Sequence, residues 1–308
     1  MRLSIWAKAG ISDQIADVQV SGANTGIGNV LANKGGIVAT LKYKKTSLSF
    51  VTAHLAAHEG ESYYKNRCKN VRSILREAKT SRVSSKLDIT MSSHHVFFMG
   101  DLNFRTKFEE EMSHEENVEK ALGLVEAEDY DALYSFDELH KGIVGGDLLF
   151  GFATLKCMFP PTFKVQREPG FVYKKQRTPS YTDRILFKSA EGLHDTLVPL
   201  AYEPCVDFIT SDHKPIRGAF AIRPIETIPV ILRKGKITMT FRNIECSDLP
   251  AADRNGLADP YVMFLWNEDI EFKSKKMNFT DKLRTAVIGR SWPRTRYVYY
   301  NLLKKERL

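Results

Sequence analysis

The stretch His95-Val96-Phe97-Phe98-Met99-Gly100-Asp101-Leu102-Asn103 decides the reading of this chain. Val96 to Met99 are continuously apolar, the pattern of a strand covered on both faces, and the run stops at a glycine followed by a carboxylate and an amide at alternate positions. Side chains alternate along an extended chain, so Asp101 and Asn103 can point into one cleft at the strand's C-terminal end. There an acid can activate water while an amide holds a phosphoryl oxygen. Gly-Asp with Asn is also ordinary turn chemistry, so the tetrapeptide decides nothing without companions.

Upstream, Gly36 to Leu55 reads as two strands joined by the basic turn Lys42–Thr46, the second ending near His54. Asn33-Lys34-Gly35-Gly36 offers a cation and an unhindered backbone that can converge with His54 on a phosphate; the alternative is a simple glycine turn. Tyr63–Lys79 carries apolar positions at helical spacing, and the acidic run Glu109–Glu119 precedes or opens another helix. Tyr181–Phe187 and Pro215–Ile222 read as strands, each beside a polar cluster. Asp183 heads the first, and Ser211-Asp212-His213 leads into the second. A carboxylate can orient an imidazole, raise its basicity and let it stabilise charge on a phosphoryl group, although a histidine such as His213 taken singly is more often a surface or satisfied structural residue. Pro160-Pro161-Thr162-Phe163-Lys164 and Lys174-Lys175-Gln176-Arg177 supply basic groups suited to further phosphates, or simply solvated loops. The stretch Arg223–Lys236 reads as a linker, and a new strand pattern starts at Ile237.

Composition narrows the partners. Forty-five Lys and Arg against 37 Asp and Glu give a formal charge of +8 over 308 residues, which favours a polyanion: nucleic acid, inositol phosphates or anionic lipid. Hydrophobic residues at 43% allow a sizeable core, and scattered charge argues against long disorder. Cys68, Cys157, Cys205 and Cys246 lie far apart and form no C-x-x-C pair, so neither a zinc site nor a dense disulfide framework is suggested and a reducing compartment is expected. No apolar run approaches the roughly 20 residues needed to cross a bilayer, so membrane contact is expected to be peripheral, at a cytoplasmic face.

Six ordered blocks carry a resemblance. They are Thr25-Gly26-Ile27-Gly28-Asn29 with Asn33-Lys34-Gly35-Gly36, Thr52-Ala53-His54-Leu55, Phe98 to Arg105, Phe159 to Lys164, Pro179 to Leu186, and Ser211-Asp212-His213-Lys214-Pro215. In this order they resemble the inositol-polyphosphate 5-phosphatase family, of the deoxyribonuclease-I-like endonuclease/exonuclease/phosphatase fold, over about Leu3 to Ile222. The resemblance implies a four-layer α/β/β/α sandwich over residues 1–223, incomplete at its N-terminus, and removal of the 5-phosphate of phosphoinositides or inositol phosphates by in-line attack of water with magnesium as cofactor. It implies that Asp101 activates or orients the water, that Asn103 holds the scissile phosphate, and that His213, oriented by Asp183, stabilises it. Asp212 and His54 would support that region. Asn33 and Lys34 would contact substrate, and Lys164, Lys175 and Arg177 would read the neighbouring 4-phosphate. Many members carry tyrosine where this chain has Phe163.

The family's magnesium glutamate lies upstream of the matched blocks, and no acid here corresponds to it, so no residue is assigned as metal ligand. The expectation is that the chain as written hydrolyses phosphoinositides weakly and dissolves poorly. From Ile237, the strand Ile237 to Thr240 with Asp248-Leu249-Pro250, Asp253 and Asn255 to Val262 resembles the start of a C2-type sandwich, incomplete over 237–308 after a linker at 224–236. Asp253 and Asp259 match loop acids, but a calcium site needs about six to eight oxygens and no second acidic loop is recognisable, so calcium is not expected. The leading function is a phosphoinositide 5-phosphatase acting on lipid or soluble inositol phosphates. A noncatalytic phosphoinositide-binding scaffold is the alternative, and a nuclease is disfavoured because Lys164, Lys175 and Arg177 sit in phosphoinositide-type blocks.

Overall fold

The computed structural model describes residues 1–25, 34–78, 80, 88–109 and 111–225, together with four strand segments beyond residue 235. It divides into two units, Met1–Glu226 and Thr227–Leu308.

In the first unit, the strands β1 (Ile15–Asn24), β2 (Gly35–Tyr43), β3 (Thr46–His54), β4 (His95–Asp101), β5 (Ala153–Thr154) and β6 (Asp183–Ser189) form one sheet in the order β1-β2-β3-β4-β6-β5. The apolar run anticipated on both faces is β4, where Val96, Phe97 and Phe98 are buried. Every pairing is antiparallel except β3 with β4. A parallel pair needs a crossover rather than a tight turn, and the segment between them contains helix α1 (Glu61–Glu77). The helix turns Cys68, Val71 and Ile74 inward. A Cβ on Gly36 of β2 would lie 2.5 Å from Ile74 Cγ2, so glycine there lets helix and sheet approach.

The opposite face of the sheet is covered by a second, two-stranded sheet, β7 (Leu197–Pro204) with β8 (Ile216–Ile222). Phe220 of β8 meets Phe97 and Phe187 of the large sheet with ring centroids 5.0 and 5.3 Å apart, and Phe97 stacks on Phe50. The unit is therefore a mixed α/β sandwich, and its described residues show three of the four layers implied by the resemblance: helix, sheet and sheet. Three further helices follow β4, namely α2 (His114–Glu126), α3 (Tyr130–Ser135) and α4 (Glu138–Val144). Ser113 and Glu116 form a capping box at the start of α2, and Asp129 and Asp137 cap the other two.

Two buried ion pairs tie the start of α4 to β6 and to α1. Asp137, the cap of α4, accepts from Arg184 of β6 at 2.5 Å, and its neighbour Glu138 accepts from Arg67 of α1 at 2.6 Å. All four side chains are almost completely buried. Removing one partner of such a pair strands a charge without water.

In the second unit β9 (Lys236–Ile244) pairs antiparallel with β11 (Leu283–Ser291), and β10 (Met263–Leu265) with β12 (Tyr299–Asn301). The acids Asp253 and Asp259 of the expected C2 loop lie outside the described residues.

Asp137→Ala is expected to destabilise the first unit by about 3–5 kcal/mol in urea denaturation, because Arg184 is left buried and unpaired. A loss below about 1 kcal/mol would show the pair to be dispensable.

Candidate active site

Strand register brings the site together. Gly35 of β2 lies opposite His54 of β3, His54 opposite Asp101 of β4, and Asp101 opposite Asp183 of β6, so one row across four strands carries an imidazole and two carboxylates at the same end of the sheet. Gly100 makes the row possible: its φ is 131°, and a Cβ there would stand 2.1 Å from Ala53 O. His213 enters from the loop before β8, paired with Phe163 in an isolated bridge. The ligand atoms of Asp101, Asp183 and His213 all lie within 4.8 Å of one another.

Asp183 holds His213. Its Oδ2 accepts from Nδ1 of His213 at 2.9 Å, from Thr162 Oγ1 at 2.7 Å and from Thr182 Oγ1 at 2.9 Å. Burial depresses the basicity of His213, but the hydrogen bond and charge of Asp183, with Asp101 and Asp212 behind it, prevail and hold its pKa above the ordinary 6.5. Asp101 accepts from the backbone N–H of Asn103 at 3.1 Å, and its Oδ2 stands 3.2 Å from His54 Nε2. Burial alone would raise the Asp101 carboxyl; the His54 hydrogen bond and the cationic charge of His213, His54 and Lys34 outweigh it and hold the group below its usual value. Lys34 Nζ also meets His54 Nε2. Burial lowers the pKa of the Lys34 ammonium against the raising effect of Asp101, and Arg105 lowers it further.

Asn103 is nearly buried and sits at φ 57°, a left-handed conformation that asparagine tolerates. Its amide nitrogen donates to Leu55 O at 3.2 Å and its amide oxygen accepts from Arg105 Nη2 at 2.6 Å. Lys164 reaches Asp212 at 3.8 Å. Lys175 and Arg177 stand apart from the row, lining an open cavity of about 730 Å³ with His114, Gln166, Tyr173, Lys174 and Gln176. The cavity is tied to the site through the backbone, since Val165 pairs with Tyr173 and Phe163 pairs with His213. Lys214, with no exposed surface, fastens this region by donating to Glu168 O at 2.6 Å and Phe208 O at 2.7 Å. Asn33 lies outside the described residues.

The structure thus places Asp101, Asn103, His213, Asp183 and His54 in one cluster, with Lys34 against His54 and Asp212 against Lys164, while Lys175 and Arg177 share a separate cavity. Sequence reading gave no role to Thr162 and Thr182, whose hydroxyls fix Asp183, nor to His114, Gln166 and Tyr173 in the cavity wall. Two threonines each next to a motif residue were the available signal for the first pair; His114, brought in by α2, had none. For a hard divalent cation the donor set fits as a partial shell. Asp101 and Asp183 supply carboxylate oxygens, Asp183 Oδ2 already serves three donors, and water or phosphate oxygens would complete the coordination, as magnesium commonly allows.

The fold and this cluster of carboxylates and imidazoles define the class of protein, a mixed α/β sandwich with its site at one end of the sheet, and comparison with known proteins places the chain. Residues 1–219 match the Endonuclease/Exonuclease/phosphatase family 2, and the chain belongs to that family. It is 29% identical over 261 residues to phosphatidylinositol 3,4,5-trisphosphate 5-phosphatase 2A of Danio rerio, a match covering 80% of this chain and 20% of that protein. It is 32% identical over 219 residues to a polyphosphatidylinositol phosphatase of Saccharomyces cerevisiae, covering 70% of this chain and 18% of that one. The matched stretch thus spans about a fifth of the length of these relatives. Among solved structures, the inositol polyphosphate 5-phosphatase domain of SPsynaptojanin, in complex with inositol (1,4)-bisphosphate and calcium, superposes with a TM-score of 0.57 at 27% identity, covering 70% of this chain and 58% of that one. A Cimex nitrophorin, as its ferrous NO complex, superposes with a TM-score of 0.50 at 25% identity, covering 67% and 64%. The second likeness shows that the fold alone does not fix the chemistry.

Asp183→Asn should lower the pKa of His213 read by NMR titration of metal-free protein, since the raised value rests first on that carboxylate. By linkage, the wild-type interaction contributes stability that is full below pH 6.5 and is lost as pH rises through the elevated His213 pKa. An unchanged His213 titration in the variant would refute the assignment.

Proposed function

We propose that this protein hydrolyses the 5-phosphate of phosphoinositides or inositol polyphosphates. The observation that carries the reading is the row of His54, Asp101 and Asp183 across adjacent strands, with His213 held on Asp183 at 2.9 Å. Relatives named as a phosphatidylinositol 3,4,5-trisphosphate 5-phosphatase and a polyphosphatidylinositol phosphatase, and a solved inositol polyphosphate 5-phosphatase domain, support the choice of reaction.

Asp101, ionised because surrounding positive charge outweighs its burial, orients the attacking water and can take its proton. The free N–H of Asn103 holds a phosphoryl oxygen. His213, kept cationic to higher pH by Asp183, faces the charge that builds on the phosphoryl oxygens, and Lys34 adds a further donor beside His54. A magnesium ion held by Asp101 and Asp183 would supply neutralisation of that charge, an effect worth several kcal/mol. Lys164, Lys175 and Arg177 read the adjacent 4-phosphate, because a multiply charged ring needs cations beyond those at the reacting group. Phe163 cannot donate the hydrogen bond that a tyrosine would offer. No helix among the described residues is long and apolar enough to cross a membrane, and action on lipid headgroups would be peripheral, from the cytoplasmic side.

Phosphate release from vesicles containing a phosphatidylinositol bisphosphate, and from soluble inositol phosphates, tests the reading. Asp101→Asn and His213→Ala should each lower kcat by about 100-fold or more with little change in vesicle binding. Near wild-type turnover in either would remove that residue from the mechanism. Lys175→Ala with Arg177→Ala should reduce preference for substrates bearing a 4-phosphate over those without it; an unchanged ratio would refute their assignment. Vesicle binding by a wild type that releases no phosphate would favour the noncatalytic phosphoinositide-binding role.

A further inference from the structure

Arg105 carries a function beyond those assigned above. Its side chain is 4% exposed, and it spends two of its donors on a single residue two positions away: Nε donates to Asn103 O at 3.0 Å and Nη2 to Asn103 Oδ1 at 2.6 Å. A guanidinium has donors only, so it dictates which end of the Asn103 amide it meets. With the oxygen turned to Arg105, the amide nitrogen faces Leu55 O at 3.2 Å, and its second N–H is left for a further acceptor. The flipped amide would set donor against donor at Arg105 and acceptor against acceptor at Leu55, a doubly unfavourable arrangement in a buried place.

The same guanidinium lies 4.8 Å over the ring of Phe163, and that ring is 4.5 Å from the ring of His213. Arg105 is itself immobilised: its backbone N–H donates to Glu138 Oε2 at 2.9 Å, its carbonyl accepts from Glu138 N at 2.9 Å, and Glu138 is held by Arg67. Arg67 in turn donates to His58 O at 2.8 Å and Ala56 O at 3.3 Å, bracing the loop whose Leu55 carbonyl receives Asn103.

We propose that Arg105 is a positioning residue that fixes the Asn103 amide with its nitrogen toward the phosphate and braces the Phe163 ring behind His213. This deepens the phosphatase reading and rests on it for the identity of the anion, while the orientation of Asn103 can be tested without turnover.

Arg105→Gln and Arg105→Lys are compared with Asn103→Ala and with each double variant. Lysine keeps the charge and the contact with the Phe163 ring but loses the two-pronged grip, so it serves as the folded control if glutamine prevents folding. Each single Arg105 variant should lose about 10- to 100-fold in kcat with KM changed less than about threefold, and the loss should shrink below about threefold when Asn103 is already alanine. Equal losses in both backgrounds would overturn the proposal, because a merely structural arginine would act independently of Asn103. The second readout is the Asn103 side-chain amide pair in nitrogen-15 NMR, identified by its absence in Asn103→Ala. Wild type should give a pair of signals displaced from the positions of a solvent-exposed asparagine amide and shifting further on adding inorganic phosphate, and Arg105→Lys should return them to exposed-amide positions and abolish the phosphate shift. Retention of both properties in Arg105→Lys would also overturn the proposal. A wild type with ordered Asn103 signals but no phosphate release would sink the phosphatase reading and leave the positioning role standing.

Discussion

The site depends on strand register. Gly35, His54, Asp101 and Asp183 come from four strands, yet they occupy one row because β2, β3, β4 and β6 pair without a bulge at that end. Side chains alternate faces with a period of two, so the row of His54, Asp101 and Asp183 is inherited from backbone hydrogen bonding, and the loop before β8 brings His213 to it. The apolar runs of β3 and β4 hold that register by burying Val51, Ala53, Val96 and Phe98. Gly100 permits the close approach to Ala53 at the point where the row begins.

Beneath the row lies a charged scaffold. Asp137 and Glu138 are consecutive residues at the start of α4, and they take Arg184 and Arg67 from β6 and α1. Buried pairs of this kind are weak evidence for net stability, since desolvation offsets much of the attraction. Their value here is geometric: Arg184 follows Asp183 directly, and Glu138 fixes the backbone of Arg105. Charge thus fixes two neighbours of catalytic candidates where apolar packing would leave more freedom.

Much of this was legible in the sequence. The hairpin around Lys42–Thr46, the helix after Tyr63 and the apolar strand before Asp101 were readable because periodicity reports burial on elements with one clear apolar face. The site candidates were readable because Asp101, Asp183 and His213 each adjoin a hydrophobic strand. β1 was not: its Val18 and Val20 are exposed, so it carries no burial signal. Nor were the partners of Arg67 and Arg184, since an arginine pairs across 71 or 47 residues without leaving a local pattern. The cavity wall formed by His114 and Tyr173 depends on how α2 settles against a distant loop, and only tertiary packing decides that.

Lys214 gives the basic cavity a dynamic character of its own. One buried ammonium suspends the Glu168 and Phe208 carbonyls, and its backbone N–H donates to Thr162 O at 2.9 Å. Segments far apart in the chain therefore share one fastening, and freeing either carbonyl takes a hydrogen bond from a fully buried side chain. Such segments open together or stay closed together, behaving as one cooperative unit toward hydrogen exchange and proteolysis. The turn from Gln166 to Tyr173, exposed over most of its length, is thus held from beneath by one buried side chain and across its base by the Gln166 N–H to Val172 O hydrogen bond at 2.7 Å.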